Sequence, residues 1–481
     1  MTSKPFPHPK GGPSFWRSAP GELDNYRSPE GIPPQIDIAI IGSGFSGGSL
    51  VTHLLNSMAA DEKSILVLEA RELCSGATGR NGGHLKPDVY NMASYLASKH
   101  GIDAATEVAD FELDNVRAVE EYVRNSGADC DFFLTRAVDV QLGYDRLIDA
   151  SVESTKSVFY LHGKDAEMIF KISGIKGAKG AFSYTAGHVW PYKMIHHMFS
   201  RAIAKGVNVQ TNTPVLSISQ SQEDDRWVLK TKRGTVLAKQ VLMATKAYTA
   251  ALLPEYHNKI IPSRAVCSRI VTPSSPPLLP NTYAIRFNDW DFDYLIPRPD
   301  GSIVVGGARR TYLKRLEDWY GNVNDEDLIK RAKHYFDGYM QRHFRGWENS
   351  SARTDQVWTG SESSPALLPK TTRKKDIVHF IEPLNKTANN SLLVMGYSSD
   401  RLPRLGRVPG RDNIFIMGGF TGHGMSQVFL AAKGIVQMVL TSCSYADSKL
   451  PSVFEETSER LSSPENFVMD LFNNLPSEPR L

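Results

Sequence analysis

Short continuous apolar runs and longer helical repeats divide the chain into predicted elements. The first apolar run, Asp37-Ile-Ala-Ile-Ile41, leads into a glycine-rich turn, and the helix-compatible stretch Leu50 to Met58 follows it. A second apolar run, Ser64-Ile-Leu-Val-Leu68, comes next. Uninterrupted apolar runs of this length are typical of strands buried on both faces of a parallel sheet. The pattern therefore predicts a strand–helix–strand unit near the start of the chain.

The turn between the first strand and the first helix has the glycine spacing of a dinucleotide-binding site. Gly42, Gly44 and Gly47 fit G-x-G-x-x-G. The first glycine permits a tight turn, the second lets the backbone approach a pyrophosphate, and the third lets the helix pack closely on the strand. The helix N-terminus offers free N–H groups to the phosphates. Glu69 follows about 20 residues later, where an acid that binds a ribose is expected.

The pattern in the middle of the chain predicts a long helix with a structural role and a second, β-rich region. Ile102 to Asn125 has apolar residues at helical spacing and predicts one long helix. Residues 131–180 mix short strands with a helical stretch, and residues 262–271 and 292–309 predict further strands. Asp325 to Arg345 is charged and predicts an outer helix with acidic residues in its first turn.

A second glycine-rich turn lies near the other end of the chain. The apolar run Asn413 to Met417 meets four glycines between Gly418 and Gly424, and a helix is predicted from about Met425 to Leu440. Two distant turns of this kind suit one elongated cofactor better than two cofactors. No second G-x-G-x-x-G follows a predicted strand, which argues against an enzyme that uses NAD(P)H.

Composition narrows the classes of function. The 481 residues suggest two or three domains, and 55 basic against 52 acidic residues give a net charge of +3. This balance gives no case for nucleic acid or a membrane surface as a partner, and no apolar run is long enough to span a bilayer. The four cysteines lack the spacing of a zinc site or a disulfide framework. The adjacent His196 and His197 cannot place both rings on one helix face, so we expect no metal.

The two ends of the chain predict an intracellular protein. The N-terminus is polar and proline-rich and lacks the apolar segment of a secretory signal. The last three residues, Pro479-Arg480-Leu481, resemble a peroxisomal address, with an arbitrary tail end as the alternative. We therefore expect a cytoplasmic or peroxisomal location.

Two further stretches give a specific resemblance to a known family. Leu68-Glu-Ala-Arg71 and Cys74-Ser-Gly-Ala-Thr-Gly-Arg-Asn-Gly-Gly-His84, with the glycine turn before them, resemble the FAD-dependent D-amino-acid oxidase (DAO) superfamily. The nearest branch resembles fungal proteins similar to glycine oxidase and γ-glutamylputrescine oxidase. The resemblance covers most of Pro34 to Leu440 and implies FAD as the cofactor. It implies an α/β Rossmann-like FAD-binding domain of the glutathione-reductase type, with an interleaved β-rich α+β substrate domain.

The resemblance also implies how the chain is divided. The expected parts are an irregular N-terminal arm (1–35), a discontinuous FAD-binding domain (36–130, 185–260 and 395–445), a substrate domain (131–184 and 261–360), an inserted loop (361–394) and a C-terminal tail (446–481).

The expected FAD-binding residues come from the same resemblance. Glu69 would hold the AMP ribose, Arg71 would lie by the adenine, and the backbone of Val215 would contact the adenine. The complete set is Gly42, Ser43, Gly44, Phe45, Ser46, Gly47, Glu69, Ala70, Arg71, Ser75, Gly76, Thr78, Gly79, Arg80, Asn81, Gly82, Gly83, His84, Val215, Ala244, Thr245, Gly418, Gly419, Phe420, Gly422, His423, Gly424 and Met425.

Arg80, Arg264 and Tyr294 are the expected catalytic residues. The alternatives are a surface loop cation for Arg80, a structural hydrogen-bonding role for His84, and ordinary sheet packing for Arg264 and Tyr294. Ala244-Thr-Lys-Ala-Tyr-Thr249 resembles the segment ATNAYT of the same family, with Lys246 in place of the usual Asn. A cation near the flavin would assist O₂ reduction, and Arg80, Lys246 and Arg264 are the candidates.

The resemblance implies oxidation of a C–N bond in a small amine or amino acid by hydride transfer to flavin N5. O₂ would accept the electrons and become H₂O₂. Two alternatives remain at this point. One is a dehydrogenase of the same fold that uses a quinone or protein acceptor, and the other is a catalytically impaired flavoprotein.

Overall fold

The computed structural model describes residues 5–9, 11, 12, 14–60, 62–143, 158–161, 166–272, 277–288, 290–358 and 393–475. The strands are β1 (Gln35–Ile41), β2 (Ile65–Leu68), β3 (His84–Leu85), β4 (Phe133–Gln141), β5 (Phe159–Leu161), β6 (Gly180–His188), β7 (Asn208–Gln210), β8 (Val215–Gln220), β9 (Trp227–Thr231), β10 (Gly234–Met243), β11 (Ile260–Val271), β12 (Thr282–Arg286), β13 (Phe292–Pro297), β14 (Ile303–Gly307), β15 (Arg353–Trp358), β16 (Leu393–Ser398), β17 (Arg404–Arg407) and β18 (Ile414–Gly418). The helices are α1 (Phe45–Leu55), α2 (Asn91–His100), α3 (Ile102–Ser126), α4 (Ala166–Ser173), α5 (Pro191–Ala204), α6 (Arg309–Tyr312), α7 (Leu316–Trp319), α8 (Tyr339–His343), α9 (Val428–Thr441), α10 (Ser458–Ser462) and α11 (Phe467–Asn473).

The first sheet is the predicted Rossmann-like sheet. Its order is β17-β18-β10-β1-β2-β7, and the antiparallel β8 and β9 extend it beside β10. β1 pairs in parallel with β2 and β10, and β10 pairs in parallel with β18. The carboxyl ends of these strands therefore meet at one edge, which is where open α/β sheets bind ligands. α5 and α9 each pack against α1 on this domain.

The second sheet supplies the β-rich region. Its order is β15-β11-β14-β13-β12-β4-β6-β3, with β16 beside β11 and β5 beside β6. β12 and β4 pair in parallel, whereas the other pairs are antiparallel. β3 and residues 395–398 of β16 come from segments expected in the FAD-binding domain, yet they pair with this sheet. Segments of the expected FAD-binding domain therefore contribute strands to the second sheet. The predicted domain boundaries stay a prediction.

The predicted long helix is confirmed, but the prediction of an outer helix over residues 325–345 is wrong. α3 spans Ile102–Ser126, as the apolar spacing predicts. Residues 325–345 instead form turns, a 3₁₀ turn at Lys330–Ala332 and the short α8. Asn324 accepts hydrogen bonds from the backbone N–H groups of Glu326 and Asp327, which closes a turn. Gly338 then takes a left-handed conformation (φ 66°) that interrupts any continuous helix.

Both ends of the described chain pack into the fold. The arm carries Phe15 and Trp16 into the main core, where Trp16 lies edge-on to Trp190 and Trp358. At the other end, both carboxylate oxygens of Glu456 accept from Nη1 of Arg404 on β17, at 3.0 and 2.9 Å. The expected tail is therefore part of the fold at least as far as this pair.

Two predictions fall mostly outside the described residues. The inserted loop is described only at Leu393 and Val394, which belong to β16, and the peroxisomal tripeptide Pro479-Arg480-Leu481 is not described. Peroxisomal targeting stays a prediction. Within the described ranges, no helix has both the length and the apolar character needed to cross a membrane.

Candidate active site

The glycine turn has the close packing that its spacing predicts. Gly42 has φ 113°, and a Cβ there would lie 2.6 Å from the carbonyl oxygen of Ala244, the residue that follows the neighbouring strand β10. A Cβ on Gly47 would lie 2.0 Å from the carbonyl oxygen of Gly42. Helix α1 begins at Phe45, and its N-cap Gly44 provides no side-chain cap. The turn thus presents backbone, not side chains, to the space in front of it.

Glu69 is fixed at the edge of this turn. Its Oε2 accepts from both the backbone N–H and the Oγ of Ser43 at 2.8 Å, and its Oε1 accepts from the backbone N–H of Arg71 at 3.0 Å. Each carboxylate oxygen has more than one lone pair, so the group can still accept from a ribose hydroxyl.

A first cavity lies against this turn and Glu69. It brings together many of the expected FAD residues from four distant parts of the chain. Those on its lining are Gly42, Ser43, Gly44, Phe45, Ser46, Glu69, Ala70, Arg71, Gly76, Thr78, Val215, Ala244 and Thr245. Phe6 and Pro7 of the arm line it too, a contribution that no sequence pattern indicated.

A second cavity of about 300 Å³ lies next to the first. The expected residues on it are Asn81, Gly82, His84, Tyr294, Phe420, Gly422, His423 and Met425. The loop between Gly76 and Gly82 contributes to both cavities, and the adjacent residues Val394 and Met395 line one each. An elongated ligand can therefore extend from the Rossmann-like edge to the second sheet.

Other expected residues lie behind the cavities. Gly47, Ser75, Gly79, Arg80, Gly83, Gly418, Gly419 and Gly424 line neither cavity. A Cβ on Gly79 would lie 2.1 Å from the carbonyl oxygen of Cys74, and one on Gly83 would lie 2.8 Å from that of Val189. These two glycines allow the loop to fold and do not face a ligand.

Two expected catalytic residues require a correction, because neither lines the second cavity. The 3₁₀ turn Ala77–Arg80 directs the Arg80 side chain into the interior, where Nε donates to the carbonyl oxygen of Ser75 at 2.7 Å. Arg80 lies 3.9 Å from Asp325, and burial lowers its pKa to about 10. Arg264 donates to the backbone oxygen of Asp327 at 2.5 Å. Both guanidinium groups thus belong to a structural cluster around the 325–327 turn.

Tyr294 does line the second cavity, held between two glycines. A Cβ on Gly82 would lie 2.4 Å from its ring, and a Cβ on Gly306 would lie 2.3 Å from its Cζ. Its hydroxyl lies 3.5 Å from Sγ of Cys267, and its ring meets that of His84 edge-on at 5.2 Å. Burial raises the pKa of Tyr294 well above its usual value, so the phenol stays neutral and able to donate.

His84 lines the second cavity, and one of its two ring nitrogens has no hydrogen-bond partner among the described residues. Its Nδ1 lies 2.9 Å from Oγ1 of Thr282, while its buried Nε2 has no hydrogen-bond partner among the described residues. Burial lowers the pKa of His84 well below its usual value, so the ring is neutral. An unpaired buried nitrogen of this kind suits a site that a bound group completes.

A polar cluster that was not predicted from the sequence lies on the second cavity. Asp139 of β4 pairs with Lys86 and accepts from the hydroxyls of Tyr90 at 2.8 Å and Tyr184 at 2.9 Å. Nε of Arg286 donates to the Tyr90 hydroxyl at 2.8 Å. The available signal was an acid inside the apolar run Ala137-Val-Asp-Val-Gln141, because an acid buried in a strand needs partners.

Two other missed residues lie nearby. Arg309, at the start of α6, donates to the hydroxyl of Tyr397 at 3.2 Å, and both line the second cavity. Glu112 lies behind His423, whose Nε2 is 3.0 Å from its Oε2. Glu112 falls on the apolar face of α3, four residues from both Val108 and Val116, and an acid at such a position was the available signal.

Comparison with known proteins decides the family. Residues 37–438 match the family described as FAD dependent oxidoreductase, DAO. The chain belongs to this family. It is therefore an FAD-dependent oxidoreductase, which confirms the predicted family, cofactor and fold class.

The relatives in this family are distant but cover most of the chain. Gamma-glutamylputrescine oxidoreductase of Escherichia coli K12 is 22% identical over 418 residues, 84% of this chain and 83% of that protein. Glycine oxidase from Geobacillus kaustophilus has a TM-score of 0.63 at 16% identity, covering 89% of this chain and 99% of that one. L-proline dehydrogenase from P. horikoshii has a TM-score of 0.61 at 15% identity, covering 86% and 95%. These relatives do not support the fungal branch, which stays a prediction.

The residues present fit FAD. The tight turn at Gly42, the glycine-rich start of α1 and the fixed carboxylate of Glu69 suit a dinucleotide on the first cavity. The second cavity is lined by His84, whose buried Nε2 has no hydrogen-bond partner among the described residues, and by the backbone of Gly82.

Proposed function

We propose that this protein oxidises a C–N bond of a small amine or amino acid, with O₂ as the electron acceptor. The observation that carries the proposal is the second cavity, which adjoins the cofactor cavity and has Tyr294, Arg309 and the Lys86–Asp139 pair on its lining. The name of the E. coli relative and those of the glycine oxidase structures refer to nitrogen compounds, which supports the same substrate class.

When bound, FAD supplies the redox chemistry: it takes a hydride from the carbon beside nitrogen and passes both electrons to O₂, giving H₂O₂. The substrate must be positioned, kept from water and bound as the neutral amine. The imine product then hydrolyses.

The side chains on the second cavity divide this work. Tyr294 donates a hydrogen bond from its neutral phenol, and the guanidinium of Arg309 binds the carboxylate of an amino-acid substrate. Burial lowers the pKa of Lys86, and Asp139 beside it offsets this only in part. We assign to the Lys86–Asp139 pair the uptake of the proton that a substrate ammonium loses.

A second candidate function has its own support. A fold neighbour is named L-proline dehydrogenase, so a dehydrogenase that passes electrons to a quinone or protein acceptor suits the same fold. A catalytically impaired flavoprotein is the remaining alternative.

One experiment separates the three. Purified yellow protein is mixed with a panel of amines and amino acids, first without O₂ and then with it, while flavin absorbance and H₂O₂ are followed. Bleaching followed by H₂O₂ release supports the oxidase. Bleaching without H₂O₂, with turnover restored by a quinone, supports the dehydrogenase. No bleaching by any compound contradicts both.

A matched pair of variants tests the substrate site. Arg309 lines the second cavity, whereas the next residue, Arg310, is exposed and pairs with Asp291 at 2.7 Å. Arg309→Met should raise KM for an amino-acid substrate about 10-fold or more, while Arg310→Met should leave it unchanged. Equal effects of the two variants would remove Arg309 from the proposed site.

A further inference from the structure

Lys246 occupies a constrained position on the first cavity. It follows β10 closely, opens the 3₁₀ helix Lys246–Ala251, and takes a left-handed conformation with φ 46°. Strand β16 packs over it, because a Cβ on Gly396 would lie 3.1 Å from the carbonyl carbon of Lys246. The backbone therefore holds this lysine at the cavity, at some conformational cost.

Its ammonium group has no anion of its own. Among the described residues, no hydrogen bond or ion pair engages Nζ of Lys246. Burial lowers its pKa to about 8, and no neighbouring carboxylate raises it again. A half-buried lysine without a partner is costly unless a ligand brings the missing negative charge.

Among the described residues, the other ionisable groups on this cavity either have hydrogen-bond or ion-pair partners or are neutral. The carboxylate of Glu69 accepts from Ser43 and from the backbone of Arg71. The guanidinium of Arg71 pairs with Asp325, at 2.9 and 2.7 Å from its two oxygens. Burial raises the pKa of Tyr248, so this phenol stays neutral. Among the described residues on this lining, Lys246 is thus the cation that is available to an anion.

We propose that the ammonium of Lys246 binds a phosphate oxygen of the FAD pyrophosphate, so that cofactor affinity falls when this group loses its proton. The pyrophosphate is the anionic part of FAD, and the first cavity holds the glycine turn that receives it. This places Lys246 at the first cavity and not at the second, where a cation assisting O₂ reduction would act. The inference depends on FAD and not on the substrate or the electron acceptor proposed above.

The test compares a charged and an uncharged fragment of the cofactor. The full-length protein is stripped of FAD, and ADP and adenosine are titrated by calorimetry. Lys246→Met should weaken ADP about 10- to 100-fold, the effect of losing a charged hydrogen bond, and change adenosine less than about twofold. Lys246→Arg, which keeps the charge, should retain most of the ADP affinity.

The unmodified protein provides a second readout that needs no variant. Because the free ammonium has a pKa of about 8 and a bound phosphate would raise it, binding of ADP should take up a proton. Affinity for ADP should therefore fall as pH rises from 7.5 to 9.5, while that for adenosine should not. Proton uptake can be measured by repeating the titration in buffers of different ionisation enthalpy.

Three results would overturn the proposal. Equal loss of ADP and adenosine binding in Lys246→Met would make the residue structural. Unchanged ADP affinity with slower reoxidation of the flavin would place the ammonium at the ring. Absence of proton uptake near pH 8 in the unmodified protein would contradict the proposal even if the Met variant failed to fold.

Discussion

Nε2 of His423 lies 3.0 Å from Oε2 of Glu112, which joins the C-terminal glycine turn to the long helix α3. Glu112 is 1% exposed and also accepts from Nε2 of Gln427 at 2.6 Å and from the backbone N–H of Asp88 at 2.7 Å. Burial by itself lowers the pKa of His423, but the Glu112 carboxylate outweighs it, and the net shift is upward.

Removing the charge of Glu112 should make stability less dependent on the protonation of His423. A raised histidine pKa stabilises the fold below about pH 6.5, the pKa of an unfolded histidine, and this contribution is lost as pH rises through the folded value. Glu112→Gln should therefore lower the free energy of unfolding by about 1.5–3 kcal/mol at pH 6, and by less at pH 9. Urea unfolding at both pH values measures this.

Glu121→Gln is the matched control, because Glu121 is an exposed acid on the same helix. It should leave stability nearly unchanged at both pH values. A Glu112→Gln effect that is equal at pH 6 and pH 9 would show that the backbone and Gln427 contacts dominate, and that the histidine carries no charge.

The features of the fold and of the candidate site that were predicted from sequence are those whose residues lie together in one short segment. Gly42 and Glu69 belong to one strand–helix–strand unit, so spacing alone indicates their roles. The prediction that Asp325 begins an outer helix was wrong. The partner of Asp325 is Arg71, and this contact exists only in the folded chain. Glu112 and Asp139 also have their partners elsewhere in the chain, so the sequence marks them only as acids in apolar patterns and does not indicate their roles.

Long-range contacts also explain why Arg80 was misplaced. Spacing puts it in a loop that reaches both cavities, and its neighbours Thr78 and Gly82 do line them. The Arg80 side chain instead turns inward, donating to the carbonyl oxygen of Ser75 and lying 3.9 Å from Asp325, which is far away in sequence. Sequence pattern therefore identifies the loop but not the residue that faces the ligand.

The two adjacent glycines of α1 should respond differently to alanine. A Cβ on Gly47 would lie 2.0 Å from a backbone oxygen, whereas one on Gly48 would meet the flexible Sδ of Met198 at 3.1 Å. Gly47→Ala should distort the turn and lose most of the bound FAD. Gly48→Ala should keep FAD, with the better helix propensity of alanine, about 1 kcal/mol, offsetting mild crowding.

The ratio of flavin absorbance to protein absorbance, with thermal unfolding of each variant, measures this difference. If Gly47→Ala retained full FAD content, the close approach of α1 to the Gly42 turn would not be required for binding.

Breaking the buried ion pair of Arg71 and Asp325 should strongly lower the free energy of unfolding. Arg71 donates to both oxygens of Asp325, and Arg80 lies near the same carboxylate. Asp325→Asn leaves two buried guanidinium groups without an anion, and it should cost about 3–5 kcal/mol of unfolding free energy. Chemical denaturation of the holoprotein measures the loss.

Asp327→Asn provides the comparison, since this carboxylate is exposed and accepts only from Asn324 among the contacts that the structure shows. It should cost less than about 1 kcal/mol. A cost for Asp325→Asn as small as that of Asp327→Asn would indicate that water or a bound ion replaces the lost charge.

The orientation of Tyr294 should depend on Gly306. The two residues pair directly across β13 and β14, and a Cβ on Gly306 would lie 2.3 Å from Cζ of the tyrosine ring. Gly306→Ala should push the ring out of place and lower kcat/KM at least about 10-fold, with FAD content unchanged. Steady-state kinetics on the best substrate of the amine panel measures this.

A double-mutant cycle decides whether the effect acts through the ring. Tyr294→Ala removes the ring and, with it, the clash that Gly306→Ala creates. If displacement of Tyr294 is the cause, adding Gly306→Ala to Tyr294→Ala should cost almost nothing further, so the two changes will be strongly non-additive. Additive losses would mean that the alanine disturbs β14 itself, and that Gly306 does not act by holding the Tyr294 ring in place.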